Sequence, residues 1–454
     1  MQMKLYRLLR TIVWILIVLW VIMTAAGYIV SCAPLWEQLP HPPLLVGDSL
    51  TPSSGQDLVA AATSLALLPG WREQVETVIN QVLESMHQHA WNPLAETHGQ
   101  RTGGLFINWK MTHPERVNAI RPGPGPQEET LKKHDPQVDL LYLNALSTYQ
   151  HRNPGKRTYQ ADLQRILAVV RIDFQHYNLP KGWIYFSLLS AALTLPDAPL
   201  LQEARALAER FYRFWYDPLV GTVYDRRHRL PDYSTVHTLE CGVALIDAGK
   251  RWRVPAWREA GERTLQHVVS VAFDPHRHLL YESMVVEPAG PDQPQSDQVR
   301  AASEGEAVSA LALAYHLTGQ RQYLSLASTL LQSLFATSGL WDKQRGGFYF
   351  ALHLSNGSVI QDYKETRAQC LTLSGLQLYN AQVTLPFLNE ERTLIALLLG
   401  PFYEHTYHGY FYRLRTDFQI YVSKPGAGIG TEDYFTSEAM GCVVNALLAV
   451  TQPV

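Results

Sequence analysis

Two glutamates sit where a sequence of this kind would carry chemistry. Glu304 and Glu438 each follow a serine, Ser303 and Ser437, at the head of a stretch with little further charge, Ser303–Thr318 and Ser437–Val450. Two carboxylates across a cleft are what glycosidic hydrolysis needs. One protonates the leaving oxygen, and the other activates water or attacks the sugar. Aligned by their small residues, these helices put Ser303, Thr366 and Ser437 on one N-cap position, with Glu304, Arg367 and Glu438 just inside. That alignment makes Glu304 and Glu438 the leading acid–base pair. Asp433 and Glu240 stand in reserve, Glu240 because it lies in the nearly uncharged Thr238–Gly242, where a buried carboxyl needs a partner or a role. His237, Tyr233, Trp183, Arg367, Tyr434 and Trp341 are the expected substrate contacts, the aromatic ones through apolar faces that suit sugar rings. Structural roles compete with each of these. A glutamate in a first turn is favoured by the helix dipole alone. Ser303 and Glu306 have the spacing of a capping box. The aromatics serve equally well as hairpin packing.

Other chemistries lack their signatures. The chain has no phosphate-binding loop, no dinucleotide glycine fingerprint, no metal-protease histidine pair and no Gly-x-Ser-x-Gly elbow. Cys241, Cys370 and Cys442 form no Cys-x-x-Cys pair and allow at most one disulfide among them, so neither a metal nor a cofactor is expected. The net charge of -3 gives no reason to expect nucleic acid as a partner.

The elements that position these residues are helices of two kinds, in strict alternation. Trp71–Trp91, Tyr159–Tyr177, Leu200–Tyr216, Ala256–Phe273, Gln322–Ala336 and Asn389–His405 are charged and amphipathic. Asp139–Tyr149, Trp183–Leu195, Thr238–Ala248, Ser303–Thr318, Gln369–Ala381 and Ser437–Val450 are nearly uncharged and rich in small residues. A helix apolar on most faces must be buried on most faces. A wet outer ring around a buried inner ring writes this pattern, so the expected fold is all-α, an (α/α)6 barrel. Links from uncharged to charged helices are short, and the reverse links are mostly long, so the long loops gather on one face, the usual home of a site. Each long loop carries an aromatic extended piece, such as Gly103–Phe106, Gly221–Tyr224, Gly346–Phe350 and Gly409–Tyr412, read as short β-hairpins at the mouth.

The N-terminus has a different character. A basic tail, residues 1–10, precedes about twenty uncharged and mostly bulky residues at 11–30, enough to span a bilayer. The basic flank places the tail in the cytoplasm and everything after the span outside. Residues 31–69 are proline-rich and read as a spacer, leaving 70–454 as the toroid domain. Ile29-Val30-Ser31-Cys32 also looks like a lipoprotein cleavage box, which would make Cys32 the lipidated terminus. Either way the lipid bilayer is a partner and the domain is extracytoplasmic.

From about Trp71 to Val450 the chain resembles the six-hairpin glycosidase-like (α/α)6 toroids, which include the N-acylglucosamine 2-epimerase branch. The resemblance rests on the helix alternation, on joints such as Leu317–Leu324, and on the Asp342–Tyr349 hairpin. It implies carbohydrate as the substrate, in a cleft at the inner-helix N-termini. Ser303–Glu306 and Thr436–Gly441 look like the Ser-Glu-Gly segments that carry a catalytic acid in some toroidal endoglucanases. The expectation is a membrane-anchored glycoside hydrolase. A non-catalytic glycan- or protein-binding toroid is the alternative, with a sugar epimerase or polysaccharide lyase as a further one. The epimerases use a pair of inner-helix histidines, and here His237 alone is placed at such a position.

Overall fold

The computed structural model describes residues 70–119, 127–175, 177–224, 231–287, 290–384, 386–421 and 433–450. Twelve long helices run in order: α1 (Trp71–His89), α2 (Pro136–Arg152), α3 (Gln160–Asp173), α4 (Gly182–Thr194), α5 (Ala198–Arg210), α6 (Thr235–Arg251), α7 (Pro255–Ala272), α8 (Ala301–Thr318), α9 (Arg321–Gln332), α10 (Thr366–Asn380), α11 (Leu388–Leu399) and α12 (Ser437–Val450). The even-numbered helices pack on one another in the cyclic order α2, α4, α6, α8, α10, α12 and back to α2. Each of α3, α5, α7, α9 and α11 lies against the inner helix before it, and α1 lies against α12. The expected (α/α)6 toroid is the observed fold. The expected transmembrane segment, Cys32 and the spacer fall in residues 1–69, outside the described residues. Among the described residues no helix is long and apolar enough to cross a membrane.

Local chemistry starts several helices. Pro136 occupies the first position of α2, where no N–H is needed, and the Asp135 carboxylate accepts from the N–H of Gln137 at 2.9 Å. Asp197 caps α5 in the same way, accepting from Leu200 N–H at 2.9 Å, and Leu200, Ala204, Leu207 and Ala208 form the buried face. The inner helices pack closely where both lack side chains. A Cβ on Gly375 of α10 would stand 2.8 Å from the carbonyl oxygen of Gly305 on α8.

Four inner helices share a start that comes from elsewhere in the chain. A short strand leads into each helix and pairs with a strand from another long loop. Asp232–Ser234 pairs with Ser283–Val285, Gln298–Arg300 with Ala351–His353, Lys364–Glu365 with Arg413–Leu414, and Tyr434–Thr436 with Asn108–Lys110. The first helical N–H then completes the ladder. Thr235, Ala301, Thr366 and Ser437 donate to the carbonyls of Glu282, Phe350, Tyr412 and Ile107. The last pair ties the strand before α12 to the long loop between α1 and α2 and closes the ring.

A second repeat fixes the hairpins. The fourth residue of an inner helix holds the backbone of the hairpin above it. Asp139, Glu304 and Gln369 accept from the N–H groups of Leu105, Leu280 and Phe348 at 2.8, 3.0 and 3.0 Å. Thr238 donates to the carbonyl of Val223 at 3.0 Å.

Candidate active site

The inner-helix N-termini surround a cavity of about 990 Å³. Its wall follows the helical repeat. Arg367, Leu371, Ser374 and Leu378 descend α10, and Glu438, Cys442, Asn445 and Ala449 descend α12. Glu240 from α6 and Glu306 from α8 occupy the same level as Leu371 and Cys442.

Arg367 is the centre of the charged part. Its Nη2 donates to Glu306 Oε1 at 2.9 Å, and its Nη1 lies 3.3 Å from Glu438 Oε1. Glu240 carries no such cation. Its Oε2 accepts from the backbone N–H of Trp183 at 3.1 Å. Burial drives the Glu240 carboxyl well above the ordinary range, and the nearby charge of Glu306 adds to the effect. Glu240 therefore keeps its proton at pH values where free glutamate has lost it. Gly182 makes this contact possible, since a Cβ there would lie 2.1 Å from the carbonyl carbon of Glu240. Burial, and then the charges of Lys181 and Arg367, lower His237 to about 3, so its imidazole is neutral. Lys181 is lowered by burial and donates to Gln137 Oε1 at 2.9 Å.

The expected site residues separate into two groups. Glu240, Glu438, His237, Trp183 and Arg367 line the cavity. Glu304, Asp433, Tyr233, Tyr434 and Trp341 are not part of its wall. Glu304 is 1 % exposed and clamps the Leu280 hairpin, because α8 begins at Ala301 and not after Ser303. Counted from that start, Glu304 matches Asp139 and Gln369, and Glu306 takes the inward-facing place. The expected capping box is also absent. Ser303 Oγ donates to Glu282 Oε1 at 2.8 Å, and Glu306 is paired with Arg367. Glu438 reaches the cavity tied to Arg367, not as a free carboxylate opposite Glu304. Asp433 pairs with Lys110 at 3.3 Å. Tyr233 is buried and donates to Asp292 at 2.7 Å. Trp341 packs on Phe335 and Phe348, and Tyr434 pairs with Lys110 in its strand.

Lys181, Arg300 and Gln137 also line the cavity. Reading along the sequence missed them because each lies within one residue of a helix start, where a lone polar side chain carries no signal of which way it faces. His134 lies at the rim with its Nδ1 2.5 Å from Asp139 Oδ2 and its Nε2 3.5 Å from Asp173 Oδ1. Thr97 Oγ1 donates to Asp173 at 2.6 Å and lies 3.0 Å from His134 Nε2. Among the described residues these are the one His/Asp group with ligand atoms all within 4.8 Å of one another. Both nitrogens of His134 face protein carboxylates, so the cluster joins the first hairpin to α2 and α3. Cys370 of α10 and Cys442 of α12 form a disulfide across the wall, and Cys241 is free and buried.

No protein-family profile matches the sequence, and no curated protein does. Solved structures do match the fold. An unsaturated glucuronyl hydrolase from Streptococcus agalactiae aligns with a TM-score of 0.59 at 13% identity, over 89% of this chain and 98% of its own. A cellobiose 2-epimerase from Bacillus thermoamylovorans aligns with a TM-score of 0.58 at 11% identity, over 83% and 99%. A family 76 glycoside hydrolase from Bacteroides thetaiotaomicron aligns with a TM-score of 0.55 at 11% identity, over 83% and 78%. All three are six-hairpin (α/α)6 toroids, and this chain has that fold.

Proposed function

We propose that this domain is a glycan-active enzyme, and that it hydrolyses a glycosidic bond with Glu240 as general acid and Glu306 as the second carboxylate. The observation that carries the reading is the unequal environment of two carboxyls on one cavity wall. Glu240 makes no direct ion pair, and burial with the charge of Glu306 outweighs the nearby Arg367 and Lys181 to hold its carboxyl well above the ordinary range, while Glu306 is ion-paired to Arg367. Environments that separate two carboxyls in this way assign acid and base. Glu240 gives its proton to the glycosidic oxygen as the bond to the anomeric carbon breaks. Glu306 either takes a proton from the incoming water or attacks the anomeric carbon itself, and the product then carries one added water. The glycan-active fold neighbours support carbohydrate as the substrate class. One neighbour is an epimerase, but of the two imidazoles on this cavity wall His134 is held between Asp139 and Asp173. That leaves His237 without a second free histidine, which favours hydrolysis.

We further propose that the domain lies outside the cell membrane, tethered through residues 11–30. The uncharged run behind a basic tail supports this, as does the Cys370–Cys442 disulfide, since disulfides persist in oxidising compartments. The test is mass spectrometry of a defined oligosaccharide panel incubated with the purified chain. Shorter products with one added water per cut, absent with Glu240→Gln and with Glu306→Gln, are expected. Unchanged masses for wild type across the panel would instead point to a toroid that binds glycan without cleaving it.

A further inference from the structure

The cavity is open at its lower end. Its wall follows α12 from Glu438 to Ala449, a depth of about 16 Å at 1.5 Å per residue. Among the described lining residues, Ser190 of α4 and Ala449 of α12 are the exposed ones, and both lie near the C-terminal ends of their helices. The lining residues at the mouth, such as Trp183, His237, Arg367 and Glu438, are half-buried. The lower rim carries no charge, being formed by Thr148, Ser190, Leu378 and Ala449. Leu193, three residues beyond Ser190 and on the same side of α4, is 55 % exposed. Apolar surface gathered at an opening in this way is a docking surface without its partner.

The chain carries a matching segment directly before α1. Residues 58–68 (Leu-Val-Ala-Ala-Ala-Thr-Ser-Leu-Ala-Leu-Leu) precede the described residues, hold no charge and are apolar at all but Thr63 and Ser64. The run is too short to span a bilayer. It also lacks the strongly polar face of a helix that lies in a membrane interface. Its place in the chain puts it beside the opening. The end of α1 meets the mouth, where the Ala90 carbonyl accepts from the N–H of Phe106, so Trp71 lies at the lower face. α1 packs on α12, and packed helices stand about 8–10 Å apart. Eleven residues reach about 16 Å as a helix, and further when extended.

We propose that residues 58–68 pack across the lower opening, with their aliphatic side chains on Leu193, Leu378 and Ala449, so that the cavity is reached from the mouth alone. Uncharged segment and uncharged rim are complementary, and each removes the other's apolar surface from water. This packing does not depend on which reaction, if any, the cavity carries.

The experiment uses the full chain in detergent with Cys32→Ser and Ser190→Cys. It measures the rate at which a water-soluble maleimide modifies the thiol introduced at position 190, located by peptide mass spectrometry. Cys241 is buried and Cys370 is bridged to Cys442, so that thiol is the reactive one. Adding Leu65→Asp and Leu68→Asp is expected to speed labelling by about tenfold or more, because charges there cannot stay against the apolar rim. Thermal unfolding reports whether the variant is folded. Rates within about twofold of each other in folded chains overturn the proposal. If the double variant does not fold, a photo-cross-linker at position 65 of the otherwise native chain decides. Cross-links to the last turns of α4, α10 or α12 support the packing. Cross-links confined to detergent, to a second copy or to other parts of the toroid overturn it.

Discussion

Replacing Glu304 and Glu306 one at a time with glutamine tests the register of α8. The two side chains are two residues apart, about 200° around a helix of 3.6 residues per turn. Glu306 faces the cavity and Arg367, and Glu304 faces the Leu280 hairpin. Glutamine at 306 cannot act as a base or nucleophile and leaves Arg367 without that ion pair, so turnover should fall about 10²- to 10⁴-fold. Glutamine at 304 behaves differently. Burial already raises the Glu304 carboxyl well above its ordinary range, so it favours the neutral acid more than a free glutamate does. An amide oxygen accepts the Leu280 N–H equally well, and Glu304 Oε2 has no partner even in the native protein. Stability should therefore change by about 1 kcal/mol or less, and turnover should be unaffected. Glu304→Ala orphans the Leu280 N–H and costs about 1–3 kcal/mol before any cavity term. Urea midpoints and product mass spectra measure both quantities. Loss of turnover in Glu304→Gln together with its retention in Glu306→Gln would refute the register and the assignment built on it.

The contribution of Asp139 to folding stability should fall as pH rises from about 4 to about 6. Burial pushes Asp139 from 3.8 to about 6 and the carboxylates raise His134, so both groups bind protons more tightly in the folded than in the unfolded protein. At about 1.4 kcal/mol per pH unit the Asp139 contribution to that loss is about 3 kcal/mol. Urea midpoints of wild type and Asp139→Asn across this window check it: the stability of wild type relative to the variant should fall as pH rises. Gly182→Ala should cost about 1–3 kcal/mol by overpacking, since the added methyl meets backbone that cannot turn aside. Because α4 would be pushed from Glu240, turnover should fall with it, and a kinetic comparison at matched folded fraction separates the two effects. Reducing the Cys370–Cys442 bridge, with its sequence separation of 72, should lower stability by about 4 kcal/mol on the chain-entropy account, read from urea midpoints with and without reductant.

The site was only partly legible from sequence, and the reason is visible at Ser303. Ser303 followed by Glu306 satisfies every local rule for a helix start. The helix nonetheless begins at Ala301, because the Ala301 N–H is satisfied by the carbonyl of Phe350, which leads into the strand Ala351–His353 some fifty residues away. A two-residue error in the start turns the wrong carboxylate inward. Thr366 and Ser437, by contrast, lie within one residue of their expected helix starts. Arg367 and Glu438 consequently lie in the cavity wall, as the alignment implied. Tyr233 and Trp341 failed as expected substrate contacts for another reason: an aromatic at a hairpin has the same composition signal whether it faces a ligand or the core.

Sequence by itself determined the architecture. Six charged and six uncharged helices in strict alternation can bury their apolar surface in few ways, and a ring within a ring does so with short and long links on opposite faces. Tertiary structure alone decided which carboxyl keeps its proton and which meets a cation. Glu240 and Glu306 lie 66 residues apart, and Arg367 a further 61 beyond Glu306. Their charges are set by burial and by neighbours that meet only when the inner ring closes.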